Sequence, residues 1–162
     1  MQLLIRQKVI SLGDTYDVTD TAGNLVFKVK SRLISPFAHK KYIKDARTGR
    51  TLMTLKRKFF SWGRTYIVKN SSGEKKAKIN KPPFTFRVNL NITGYGNDIS
   101  FQGDFFSHNW TLFENGAPIG SVSKPYDLIV DRYFLNINNP QDAAFFTTVV
   151  IAVDNMAFNG GH

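Results

Sequence analysis

Apolar and polar residues alternate with a period of two through most of the chain, which predicts short β-strands. Tyr16 and Val18, for example, alternate with Asp17 and Thr19, the pattern of a strand with one buried face. Polar turns that contain glycine, which permits the positive φ of a hairpin, occur at residues 21–24, 48–49, 71–74 and 115–116. Further strands are predicted at residues 84–92, 99–105 and 126–136. Roughly ten to twelve strands at this spacing predict a β-sandwich or a closed barrel.

Two stretches of the chain repeat each other at an offset of 50 residues. Residues 5–23 read IRQKVISLGDTYDVTDTAG and residues 55–73 read LKRKFFSWGRTYIVKNSSG. The positions that are identical between the stretches, counted in the first, are Lys8, Ser11, Gly13, Thr15, Tyr16, Val18 and Gly23. No gap is needed, so the chain is predicted to contain a duplicated unit of two or three strands. Two copies are too few for a propeller or a solenoid.

One segment near the C-terminus departs from the strand pattern. Asn139 is predicted to cap a helix, with Pro140 and Asp142 in its first turn, where proline and an acid are favoured. Residues 143–158 are apolar on every side of the helical wheel, which predicts a buried helix. Asn159 and Gly160 are predicted to end it. We therefore expect a barrel filled by this helix and assign residues 1–162 to a single domain.

The composition excludes several classes of protein. The chain has no cysteine, so disulfides, zinc thiolate sites and thiol catalysis are excluded. The apolar run at residues 143–153 is too short to span a bilayer, which requires about 20 residues. We find no signal-peptide pattern at the N-terminus because Arg6 and Lys8 interrupt it. We expect a cytoplasmic protein.

Positive charge is concentrated in one segment. Residues 28–87 contain 18 of the 22 Lys and Arg and only two acids, so this segment carries a charge of +16 within a chain of net charge +10. Within it, basic residues recur at every second position of predicted strands, which places them on one face. The candidate residues for binding an anionic ligand are Lys28, Lys30, Arg32, Lys56, Lys58, Lys76 and Lys78. Phe27, Val29, Ala77 and Ile79 are predicted to face the core. A purely solubilising surface is the alternative.

Other residues allow more than one interpretation. Phe37, Phe59, Phe60 and Trp62 lie beside basic residues and suit a membrane interface, base stacking or the core. Asp154 is an acid within the apolar helix and needs a partner or a position at the barrel mouth. Either it bonds to backbone or solvent at the helix end, or it lines a ligand cavity.

Catalytic and metal chemistry find little support in the sequence. His39, His108 and His162 have no metal-ligand spacing. Asp127, Asp131 and Asp142 lack the regular loop spacing of a calcium site. We find no nucleophile elbow, phosphate-binding loop or dinucleotide fingerprint. We expect that the protein is not an enzyme and that it has no catalytic residue, no metal site and no cofactor.

The repeated Lys–Phe-Phe-Ser-Trp-Gly–Tyr–Val unit, the segment from Ile129 to Phe134, Asp142, and residues 149–154 resemble the LURP-one-related family. The resemblance extends from about Leu3 to about Phe158. This family is grouped with the tubby C-terminal-like superfamily, which also includes phospholipid scramblases. The resemblance implies a barrel of twelve antiparallel strands around a central hydrophobic C-terminal helix. Tubby domains bind phosphoinositide headgroups through basic residues, whereas the cysteine-dependent anchoring of scramblases has no counterpart here.

Together, charge and resemblance predict a non-enzymatic module that binds anionic phospholipid headgroups, peripheral to the inner face of a membrane. One alternative is nucleic-acid binding through the same basic residues. The other is a structural or small-ligand scaffold.

Overall fold

The computed structural model describes residues 1–8, 15–35, 38–58, 64–81, 87–94, 98–104, 108–126 and 132–157. Within these residues the chain forms twelve β-strands, a short 3-10 turn and one α-helix. The strands are β1 (Gln2–Lys8), β2 (Thr15–Thr19), β3 (Leu25–Ser35), β4 (Ala38–Asp45), β5 (Thr51–Lys58), β6 (Arg64–Asn70), β7 (Lys75–Lys81), β8 (Arg87–Thr93), β9 (Ile99–Asp104), β10 (Asn109–Glu114), β11 (Ala117–Ser123) and β12 (Arg132–Ile137). The 3-10 turn (Pro140–Asp142) and helix α1 (Ala143–Ala157) follow.

The strands form a closed antiparallel barrel. Each strand pairs with its neighbour in sequence, and β1 pairs with β12, where Ile5 lies opposite Tyr133. Among the twelve strands that the structure describes, closure leaves no edge open for pairing with another chain. The prediction of a mainly β fold is confirmed, and of its two forms the structure has the barrel.

The duplication is confirmed in the register of the strands. Strands β1, β2 and β3 form a first unit, and β5, β6 and β7 form a second unit. Lys8 lies opposite Thr15 in the first unit and Lys58 lies opposite Thr65 in the second. The ladders shift register after Val18 and at the equivalent Val68. Gly23 and Gly73 adopt φ of 85° and 84° in the equivalent turns.

Helix α1 lies in the centre of the barrel, as the sequence predicted. Its buried residues occur on all sides of the helix and are Ala143, Phe145, Phe146, Thr147, Thr148, Val149, Val150, Ile151, Ala152, Val153, Asp154 and Met156. The helix contacts β5, β6, β7 and β12. Inward side chains of the strands, such as Phe27, Val29, Ala77 and Ile79, complete the core.

The boundaries near the C-terminus differ from prediction in two places. Asn139 caps as expected, its Oδ1 accepting a hydrogen bond from the Gln141 N–H at 3.1 Å. The turn that follows is 3-10, because the Asp142 N–H donates to the Asn139 carbonyl three residues back. Tyr126, predicted to begin the last strand, lies outside it after Pro125, which lacks an N–H to donate to a ladder. Residues 84–86, 105, 127–131 and 158–160 lie outside the described residues.

Candidate anion-binding surface

The predicted basic residues of β3 lie on the outside of the barrel. Lys28, Lys30 and Arg32 are exposed, whereas Phe27 and Val29 are buried. The strand therefore has the alternation that the sequence predicted, with its apolar face toward the core and its cationic face toward solvent. No acidic side chain occurs within β3 itself.

Strand register brings four cations into one line across the outer face of the barrel. Arg32 of β3 lies opposite Lys40 of β4, which lies opposite Lys56 of β5. Lys56 lies opposite Ile67 of β6, and Ile67 lies opposite Lys78 of β7. We call Arg32, Lys40, Lys56 and Lys78 the cationic row. With strands about 4.8 Å apart, the row extends roughly 19 Å from β3 to β7.

The other predicted residues lie around this row in less favourable electrostatic settings. Lys58 follows Lys56 by two residues on β5 and is exposed. Lys76 forms an ion pair with Glu74, with 2.9 Å between Nζ and Oε2. Lys28 lies opposite Asp17 of β2. The three residues of β3 and the pairs on β5 and β7 thus lie on strands that β4 and β6 separate. A nearby acid offsets the charge of Lys28 and of Lys76.

The ion pair between Lys76 and Glu74 also changes the pKa of the acid. The Lys76 ammonium lowers the pKa of Glu74 below its usual 4.5, through a hydrogen bond and through its charge. The Asn70 side chain donates a further hydrogen bond to Glu74 at 3.0 Å. Lys76 is therefore engaged by the turn, and we place it at the margin of the candidate surface.

The sequence did not single out Lys40, which joins the two halves of the row. Lys40 falls in a run with His39 and Lys41, where alternation is hard to read from the sequence. The structure resolves the run, because Lys41 is only 6% exposed and points inward while Lys40 is half-buried on the outer face. Only the pairing of β4 with β3 and β5 reveals its place between Arg32 and Lys56.

A shallow groove lies on this surface beside the cationic row. It has a volume of about 420 Å³ and is lined by Lys30, Ser31, Arg32, Tyr42, Lys44 and Thr51. Three cations, one phenol and one hydroxyl from β5 thus surround a single depression. Such donors suit the oxygen atoms of an anionic group.

Asp154 occupies a different environment, inside the barrel. It is fully buried, so solvent is not its partner. The Tyr16 hydroxyl donates to Oδ2 at 2.6 Å, and the Tyr133 hydroxyl donates a short hydrogen bond to Oδ1. Lys41 and Lys124 place their Nζ atoms 5.0 Å and 5.2 Å from the ring centroids of these two tyrosines. The acid is held by side chains of two strands, a solution that the sequence did not reveal.

The helix end next to Asp154 is held by a further side chain. The Arg64 guanidinium of β6 donates a short hydrogen bond to the carbonyl of Met156. A cation at this place satisfies a carbonyl that the last turn of a helix leaves without an intrahelical donor. The two hydrogen bonds of Asp154 and the bond from Arg64 therefore anchor the C-terminal part of α1 to the barrel wall.

The remaining candidates of the sequence fall into two groups. Phe37, Phe59, Phe60, Trp62, Asp127, Asp131 and His162 lie outside the described residues. Asp142 accepts a hydrogen bond from the Asn139 amide at 2.9 Å, and His108 stacks between Trp110 and Tyr126. Among the residues that the structure describes, no group of three or more His, Cys, Asp or Glu is arranged to hold a metal ion.

In the described part of the chain, no helix is long and apolar enough to cross a membrane. The longest helix is α1, with 15 residues.

Comparison with known proteins identifies the family. A family model described as LURP-one-related matches residues 1–154. The chain belongs to the LURP-one-related family. A Bacillus subtilis (strain 168) relative, named Uncharacterized protein YxjI, is 26% identical over 159 residues, which are 98% of this chain and 95% of the relative.

A solved structure shows that this fold recurs in a distant protein. The X-ray structure of a protein from Arabidopsis thaliana matches the LURP-one-related barrel with a TM-score of 0.63 at 18% identity. The match covers 94% of this chain and 90% of the plant chain. At this identity the similarity concerns the fold alone.

Proposed function

We propose that this LURP-one-related protein binds anionic phospholipid headgroups through the outer face of β3–β7. The binding is peripheral and reversible, takes place at a negatively charged membrane surface such as the inner face of the cytoplasmic membrane, and involves no catalysis. The observation that carries the proposal is the cationic row, in which Arg32, Lys40, Lys56 and Lys78 lie in one line across five strands.

The magnitude of the charge supports this ligand class. A basic residue near an anionic membrane contributes about 1 kcal/mol, so the four cations of the row contribute roughly 4 kcal/mol together. That is enough for reversible attachment and far less than the free energy that holds a membrane-spanning helix. The resemblance to tubby C-terminal-like barrels, which bind headgroups through basic residues, supports the same ligand.

The groove supplies a place for an individual headgroup within this surface. Lys30 of β3 and Lys44 of β4 both line it, and Tyr42 lies opposite Lys30 and two residues before Lys44 on β4. A phosphate oxygen in the groove would accept charge-assisted hydrogen bonds from these ammonium groups. The cationic row would then attract the membrane surface, and the groove would bind the headgroup of one lipid.

Co-sedimentation with vesicles tests the proposal. Vesicles of phosphatidylserine and phosphatidylcholine are compared with pure phosphatidylcholine vesicles over a series of salt concentrations. We expect binding to the anionic vesicles alone and a steady loss with salt, because salt screens exposed charges. Equal binding to both vesicle types, or none to either, would contradict the proposal.

A pair of triple variants locates the surface. Replacing Arg32, Lys40 and Lys56 by alanine should lower the partition coefficient by roughly two orders of magnitude, given about 1 kcal/mol for each charge. The matched control replaces Arg6, Arg47 and Arg50, which are exposed and lie outside the row. It removes the same charge and should lower binding much less. If a DNA oligonucleotide competes with the vesicles and binds more tightly at equal salt, the surface is a nucleic-acid site instead.

A further inference from the structure

The two copies of the duplicated unit differ at the residue in the centre of their outer faces. In the first unit, Asp17 of β2 lies between Arg6 of β1 and Lys28 of β3. In the second unit, the equivalent residue is Ile67 of β6, which lies between Lys56 and Lys78. The backbone arrangement is the same, because every register pair concerned recurs at an offset of 50 residues. The two units therefore differ in the side chain at this position and not in the pairing of their strands.

In the first unit, the carboxylate neutralises its surroundings. Asp17 forms an ion pair with Lys8, with 2.5 Å between Nζ and Oδ2. Arg6 and Lys28 lie directly opposite on the two neighbouring strands. A single acid thus lies among three cations, two of them directly opposite at about 5 Å and the third, Lys8, in a diagonal position. An approaching anion meets a partly compensated surface there.

In the second unit, an apolar side chain takes that position. Ile67 is half-buried, whereas its neighbours Tyr66 and Val68 are buried in the core, so Ile67 faces outward. No acid lies opposite Lys56 or Lys78 on β6, and among the described residues neither lysine forms an ion pair with an acid. The result is an apolar side chain flanked by two uncompensated cations.

We infer that Ile67, flanked by Lys56 and Lys78, is the membrane-contacting centre of the second unit, and that Asp17 silences the equivalent surface of the first unit. This inference rests on the proposed function and assigns it to one copy of the duplication. A lipid interface provides both kinds of contact at once, since phosphates accept from the lysines while the apolar side chain reaches the acyl boundary. A polyanion without an apolar layer does not provide an equivalent apolar contact for Ile67.

Exchange of the central residues between the units tests the inference. Partitioning onto phosphatidylserine and phosphatidylcholine vesicles is measured for the full chain and for Ile67→Asp, Ile67→Asn and Asp17→Ile. We expect Ile67→Asp to weaken binding roughly tenfold, because a carboxylate beside both lysines offsets one to two charges. Ile67→Asn should fall between Ile67→Asp and the unchanged protein. Asp17→Ile should strengthen binding several-fold.

Equivalent pairs of lysine and arginine provide the matched control. Lys56→Ala with Lys78→Ala removes the cations around Ile67, and Arg6→Ala with Lys28→Ala removes the equivalent cations around Asp17. Each double variant loses two positive charges, and the two variants lose them from equivalent positions of the two units. We expect the first to weaken binding by an order of magnitude more than the second. Thermal unfolding by circular dichroism verifies that each variant is folded.

The outcomes separate this inference from the proposed function. The unchanged protein could bind anionic vesicles while the substitutions at Asp17 and at Ile67 leave binding unaltered. In that case the inference is overturned and the proposed function stands. Equal losses for the two double variants would have the same meaning. If the unchanged protein does not distinguish anionic from neutral vesicles, both are overturned. An Ile67→Asn variant that binds DNA unchanged but binds the vesicles more weakly would support the lipid contact directly.

Discussion

The Tyr16 hydroxyl donates a 2.6 Å hydrogen bond to the Asp154 carboxylate and so joins strand β2 to the central helix across 138 residues of sequence. Tyr133 of β12 donates to the other carboxylate oxygen. Each oxygen of the acid therefore has a hydroxyl donor in a position that is completely buried. Because a buried carboxylate without partners is strongly unfavourable, these two bonds, together with the Arg64 contact, hold the C-terminal part of α1 in the barrel.

Removing this acid should destabilise the protein strongly. Asp154→Ala removes the carboxylate that accepts from two buried tyrosine hydroxyls, beside Lys41 and Lys124, and should cost about 3–5 kcal/mol. Tyr16→Phe removes one of the two donors and should cost about 1–3 kcal/mol. Urea denaturation followed by circular dichroism measures both changes. Equal stability of Asp154→Ala and the unchanged protein would mean that the hydrogen bonds contribute nothing to the fold.

The central position of α1 predicts a large effect for the loss of an aromatic ring. Phe146 is 2% exposed and stacks edge to face with Phe145, the ring centroids being 5.2 Å apart. Phe146→Ala should cost about 3–5 kcal/mol, because the closed barrel cannot collapse onto the cavity. Phe134→Ala is the control, since Phe134 faces outward on β12 and is 47% exposed. It should cost less than about 1 kcal/mol. Similar losses for the two variants would contradict a central helix.

The sequence predicted those features that depend on local pattern. Alternation at Phe27, Lys28 and Val29 gave the inward and outward faces of β3 correctly, because a strand with one buried face has a period of two. The apolar run of α1 predicted its burial, because a helix that is hydrophobic on every side is buried. The duplication was also visible, since Tyr16 and Tyr66 keep equivalent places in equivalent strands.

Features that depend on which residues of different elements lie opposite each other were beyond the sequence. The place of Lys40 in the cationic row follows from its neighbours on β3 and β5, which no local pattern states. The partners of Asp154 come from β2 and β12 and were equally hidden. The ion pairs of Lys8 with Asp17 and of Lys76 with Glu74 distinguish cations that look equivalent in the sequence.

The barrel wall contains a position where only glycine fits. Gly103 of β9 lies opposite Trp110 of β10, and a Cβ atom there would overlap with Cδ1 of Trp110 and the carbonyl of Asn109. Gly103→Ala should therefore cost about 1–3 kcal/mol through displacement of the indole. Gln102→Ala, exposed on the same strand, should stay within about 0.5 kcal/mol of the unchanged protein. Thermal unfolding measures both, and an unshifted midpoint for Gly103→Ala would mean that β10 can move away.

The turn between β4 and β5 makes a prediction about acid titration. The Thr48 N–H and hydroxyl donate to the Asp45 carboxylate at 2.7 Å and 2.8 Å, and they lower the pKa of Asp45 below its usual 3.8. Thr48→Val removes the hydroxyl and keeps the N–H, so the pKa of Asp45 should rise part of the way toward its usual value. Carbon-detected NMR titration measures this pKa directly.

The sign of the linked stability follows from the direction of that shift. Because folding lowers the pKa of Asp45, its contribution is complete above the unfolded-state pKa and is lost as the pH falls through the lower folded-state value. Asp20 is the internal control, since its pKa is lowered mainly by the Asn24 side chain, which Thr48→Val leaves in place. A variant in which Asp45 titrates as before would show that the backbone N–H alone holds the carboxylate. Parallel shifts of Asp20 and Asp45 would instead indicate a change in the whole barrel, because the two turns share no hydrogen bond.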